Sequence, residues 1–162
     1  MRGSGGGKSK VISRKLLKRM LPTHLKQIFP KLNESNCKLT SPVDKKYNCI
    51  GWAAGDITRF WWPDRQLTGY WSEDAPREVS AQAFVKMFET LGYQTCSNST
   101  LEEDYEKIAI YCLEGKPTHA ARQLRTGKWS SKLGRLEDID HSLEALAKSE
   151  YGDVLVLMKR KR

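Results

Sequence analysis

Tyr47-Asn48-Cys49-Ile50-Gly51-Trp52-Ala53-Ala54-Gly55-Asp56 is the stretch on which the reading of this 162-residue chain turns. From Ile50 onward apolar side chains recur at three- and four-residue spacing, through Ala53, Ala54, Ile57, Phe60 and Trp61. Asn48 is a favoured N-cap residue, so the pattern sets Cys49 in the first turn of a helix. That helix is expected to run toward Phe60-Trp61-Trp62-Pro63, where the proline disfavours helical backbone at Trp62. Free N–H groups and the positive end of the helix dipole favour a thiolate at such a position. About seventy residues later Thr118–Leu124 reads as a strand with His119 at its start. Two readings stand side by side. Cys49 and His119 form a nucleophile and its base, or they are a small buried side chain and a hydrogen-bonded core histidine.

Around this stretch the chain divides by charge. Residues 1–31 hold nine basic side chains and no acidic one, while the remaining 131 carry 19 of each sign. The formal charge of +9 therefore belongs to an N-terminal arm, and residues 32–162 form a neutral body. Residues 1–10 are rich in Gly and Ser and read as disordered. Val11, Leu16, Leu17, Met20 and Leu21 outline a short basic amphipathic helix, with Leu25, Ile28 and Phe29 continuing it. Such an arm suits a loosely packed helix, a nucleic-acid backbone or an anionic surface. No apolar run is long enough to span a membrane, and the first residues lack a secretory signal. A cytoplasmic location is the expectation. The four cysteines, Cys37, Cys49, Cys96 and Cys112, form no CxxC pair, so neither a zinc site nor a disulfide scaffold is expected. No metal or cofactor is called for.

Taken in order, residues 33–46 read as a loop. Five aromatic side chains (Trp52, Trp61, Trp62, Tyr70 and Trp71) suit either a core cluster or one wall of a substrate cleft, and Asp64–Pro76 a polar cleft loop. Ser80 caps a helix carrying Ala81, Phe84, Val85, Phe88 and Leu91 on one face, ended by Gly92. Tyr93–Cys96, Lys107–Cys112, Thr118–Leu124 and Lys128–Lys132 read as strands, the last two a hairpin about Gly127. Asp138–His141 leads a short amphipathic helix through Leu143 and Leu146, and Asp153–Met158 closes the chain as a strand. Helices first and an antiparallel meander after them give an α+β order.

In a cysteine-dependent acyl transfer the imidazole takes the thiol proton and returns it to the leaving group. The Cys49 backbone N–H would face the oxyanion, with Asn48 or Tyr47 assisting. A third group orients the imidazole. The hairpin brings Ser131, twelve residues after His119, back beside it. Asp138, Asp140 and His141 follow as reserves, and His24 lies outside the constellation.

Tyr47–Gly55, Glu106–Tyr111 and Thr118–Leu124 through Trp129–Gly134 to Asp138–His141 together resemble a family of small bacterial proteins of unknown function, over roughly residues 33–160. The order of segments also resembles the papain-like superfamily, especially its NlpC-type peptidases and CHAP amidases. There the cysteine starts a helix, the histidine starts a strand, and a third polar residue ends the next strand. The resemblance implies a papain-like α+β fold with N-terminal helices packed on an antiparallel sheet. It further implies Cys49 as nucleophile, His119 as base, Ser131 in third place and a peptide or protein substrate. The chain departs from that pattern in having serine there.

Overall fold

The computed structural model describes residues 21–162. One seven-stranded sheet, antiparallel at every pairing, dominates it, in the order β1-β6-β5-β4-β3-β7-β2. The strands are β1 (Cys37–Ser41), β2 (Gln94–Cys96), β3 (Tyr105–Leu113), β4 (Lys116–Gln123), β5 (Trp129–Lys132), β6 (Asp138–His141) and β7 (Asp153–Lys161). Three short helices, α1 (Thr23–Ile28), α2 (Cys49–Ala54) and α3 (Ala81–Glu89), and a 3₁₀ turn at Leu143–Leu146 accompany them. The α+β class read from the sequence holds, with the sheet as its larger part.

Side chains alternate across a strand, and β3 shows how that builds two cores. Ile108 and Ile110 point into one cluster with Ile50, Ala53, Phe84, Phe88, Ala120 and Met158, under α2 and α3. Ala109 and Tyr111 point into the other, with Leu25, Phe29, Ala121, Trp129 and Ile139. Residues 21–31, grouped with the arm in the sequence, supply Leu21, Leu25 and Phe29 to this second core. Their four-residue spacing makes one apolar stripe, and burying it ties α1 to the sheet. The arm residues before Leu21 lie outside the described residues.

Three segments differ from their sequence reading. The helix after Asn48 stops at Ala54, because Gly55 takes a left-handed φ of 85° and its N–H closes on the Gly51 and Trp52 carbonyls. Asp56 then holds the chain in a turn, accepting from the Thr58 N–H and Trp61 Nε1. The segment 33–46 contains β1, whose Cys37 and Leu39 pack on the second core and which pairs with β6. Its polar composition hid an edge strand. Asp138–His141 is the strand β6 and no helix, since it pairs with β1 on one side and β5 on the other. No helix among the described residues is long and apolar enough to cross a membrane.

Candidate functional site

Asn48 sets the site. Its Oδ1 accepts from the Gly51 N–H at 3.2 Å, capping α2, and from the Trp61 N–H at 3.0 Å; its Nδ2 donates to the Trp61 carbonyl at 2.9 Å. One carboxamide thus starts the helix and clamps the returning loop. Both of its polar atoms engage backbone partners. Tyr47 is likewise occupied. Its hydroxyl donates to Asp138 Oδ2 at 2.8 Å in a buried network with the Lys132 ammonium, 3.8 Å from Asp138 Oδ1.

Cys49 opens α2 and is 6% exposed. Burial pushes its thiol up to about 11, with the neighbouring backbone amides of Ala120, Ile50 and Cys49 itself pulling the other way. The helix start does supply amide donors, as the sequence suggests, but desolvation outweighs them. A groove of about 600 Å³ reaches this residue, lined by Asn48, Phe60, Trp62, Gly69 and Arg135 beside Cys49. The aromatic stretch therefore divides its labour. Trp61 and Trp71 are buried in the first core, while Trp62 packs edge-on to Phe84 and also walls the groove.

Ala120, which belongs with Cys49 to the first core, is the residue after His119. His119 is fully buried, stacked on Tyr151 at 4.1 Å and edge-on to Tyr111. Its Nε2 lies 2.8 Å from Ser131 Oγ, and the same oxygen lies 2.7 Å from His141 Nε2. His141 Nδ1 lies 2.7 Å from the Ser142 carbonyl. A carbonyl only accepts, so Nδ1 of His141 carries the proton and its Nε2 is a bare acceptor. The Ser131 hydroxyl then donates to His141 and accepts from His119 Nε2–H. The chain of bonds fixes the last tautomer: His119 Nδ1 is left with a lone pair. That nitrogen is buried and has no hydrogen-bond partner among the described residues, Cys49 included.

Electrostatics agree with neutral rings. Burial, with the nearby His141, holds His119 well below the ordinary imidazole value, and burial lowers His141 to about 4. Cys49 and His119 thus rest as thiol and neutral imidazole.

A family model described as "Domain of unknown function (DUF7689)" matches residues 38–159. The chain belongs to that family. No curated protein and no solved structure matches it. Within this DUF7689 domain the residues singled out from the sequence fall into two groups. His119 and Ser131 meet directly, while Cys49 packs in the first core with Ala120, the residue beside His119. Asp138 turns to Lys132 and Tyr47, and Asp140 lines a different groove with Cys37. His24 sits near Glu137, away from the constellation. His141, held as a reserve, is the residue through which Ser131 is polarised. Its misread helix concealed it; as a strand residue two positions from Ile139 on the face of the second core, it would have stood opposite Trp129 and diagonal to Ser131.

Proposed function

We propose that the domain is a cysteine-dependent amide-bond hydrolase of papain-like type, a peptidase, amidase or deamidase. The observation that carries this reading is the lone pair at His119 Nδ1, which has no hydrogen-bond partner among the described residues and sits on the residue next to Ala120, a neighbour of Cys49 in the first core. A buried histidine kept only for packing gains nothing from an orphaned ring nitrogen, which costs about 1–3 kcal/mol. A general base needs one.

In the reaction the Cys49 sulfur attacks the substrate carbonyl carbon from the groove as Nδ1 takes the thiol proton. First-turn N–H groups of α2 face the oxyanion. Collapse of the adduct releases the amine, which takes the proton from His119, and leaves a thioester on Cys49. Water, losing a proton to Nδ1, cleaves the thioester and restores the thiol. Ser131 and His141 orient the base. With both groups neutral at rest, proton transfer accompanies attack.

The test is acylation of Cys49 by p-nitrophenyl acetate, followed by peptide mass spectrometry across pH. Acetylation of Cys49 near neutral pH, abolished in Cys49→Ala and reduced at least about a hundredfold in His119→Ala, is the expected result. Identical pH profiles for the parent and His119→Ala would overturn the pairing.

A further inference from the structure

The body is neutral in sum but not in distribution. Beyond the C-terminal end of α2, away from Cys49, a pocket of about 220 Å³ is lined by Arg122, Arg125, Arg160 and Arg162, with Glu106 the one carboxylate among the lining residues. Glu106 is spent on two of them: Arg160 Nε lies 2.6 Å from its Oε2 and Arg162 Nη1 3.8 Å from its Oε1. Arg122 and Arg125 have no carboxylate within ion-pair distance among the described residues. Lys107, also in the lining, is paired with Glu102 at 2.7 Å, so the remaining lining side chains carry an excess of three positive charges.

Two of these forks are held in place. The Arg122 guanidinium lies 3.8 Å from the Trp52 ring centre, and Trp52 is itself anchored by Nε1 donating to Ser130 Oγ at 3.2 Å. Arg160 donates to the Leu91 carbonyl at 3.0 Å and lies over Tyr93. Burial depresses the Arg122 guanidinium below its ordinary value, against the opposing pull of Glu106 and Asp138. Arginine forks match the paired oxygens of phosphate.

We propose that this pocket binds a phosphoryl dianion, as free phosphate or as the terminal group of a phosphomonoester. A carboxylate would leave most of the excess charge unmet. The volume is below that of a typical drug-sized site, and both aromatic faces nearby are already covered by arginine. A phosphoryl group with a small substituent fits, and a stacked base does not.

The test is calorimetric titration of the full chain with inorganic phosphate, phenyl phosphate and acetate at constant ionic strength. Saturable binding of one phosphate per chain is expected, with acetate silent. Arg122→Gln and Arg125→Gln should each weaken it by on the order of ten- to a hundredfold, and Lys128→Gln, an equal loss of charge on another surface, by less than about twofold. Tighter phenyl phosphate binding assigns a phosphomonoester; equal or weaker binding assigns free phosphate. Because Arg125 is exposed and makes no side-chain bond among the described residues, its variant decides the matter should Arg122→Gln fail to fold. Binding of acetate as tight as phosphate, an equal effect of Lys128→Gln, or no saturable binding would each overturn the proposal.

Discussion

Ser131 Oγ bridges His119 and His141, 2.8 Å from the Nε2 of one and 2.7 Å from the Nε2 of the other, with none of the three more than 1% exposed. Serine is a poor orienter by itself because its hydroxyl rotates. Here the bare nitrogen of His141 fixes the rotor. What looks in the sequence like a weak third residue is half of a two-residue device.

Ser131→Ala deletes an acceptor and a donor at once and strands two buried ring nitrogens. The expected loss is about 2–4 kcal/mol in urea denaturation. Acylation of Cys49 by p-nitrophenyl acetate should slow in the folded fraction, since His119 Nε2–H loses its partner and the ring its fixed tautomer. A stability loss with unchanged acylation of the folded fraction would make Ser131 structural only.

The two buried histidines give stability a pH dependence of known sign. Each has a folded value below its unfolded value of about 6.5, with His141 at about 4. Between those values the unfolded chain binds protons that the folded chain refuses, so stability rises with pH there. It should be fully present above about pH 6.5 and fall as pH drops toward 4, with His141 contributing on the order of 3 kcal/mol. Denaturation midpoints at pH 4.5 and 7 measure this. His141→Gln should flatten the slope; an unchanged slope would mean that other groups carry it.

Much of this was legible before any coordinates. Asn48 as a cap, α3 from Ser80, and the β4–β5 hairpin follow from local rules, because each is set by side chains within a few residues. β1 and β6 were not legible, for a shared reason. Each reads as polar or helical alone and becomes a strand only through its neighbours, and β6 lies between two of them. The direction of the Ser131 hydroxyl was likewise out of reach, being decided by the Ser142 carbonyl through His141.

The Lys132, Asp138 and Tyr47 network joins the hairpin to the residue two before Cys49. Lys132 donates to the Leu136 carbonyl and faces Asp138 in a site with both side chains essentially unexposed. Lys132→Met leaves a buried carboxylate without its cation, at an expected cost of about 3–5 kcal/mol. Adding Asp138→Asn should recover part of that loss, whereas independent contributions would simply add. Tyr47→Phe should cost less, about 1.5–3 kcal/mol, as a single hydrogen bond to a charged group.

Two glycines of the Cys49 helix separate strain from displacement. A methyl on Gly51 would meet the Asp56 carbonyl at 2.9 Å and that of Arg59 at 3.0 Å, both backbone atoms of the loop that Asn48 clamps through Trp61. Gly51→Ala must push that loop away or tilt α2, so it should destabilise by about 1–3 kcal/mol and also lower Cys49 acylation. At Gly55 a methyl meets nothing within 4 Å among the described residues, and the penalty there is the left-handed φ of 85°. Gly55→Ala should therefore cost about 1–2 kcal/mol and leave acylation of the folded protein unchanged. Parallel urea titrations and acylation rates distinguish the two. Equal acylation in both variants would mean that the contact between the helix start and the returning loop does not position the sulfur.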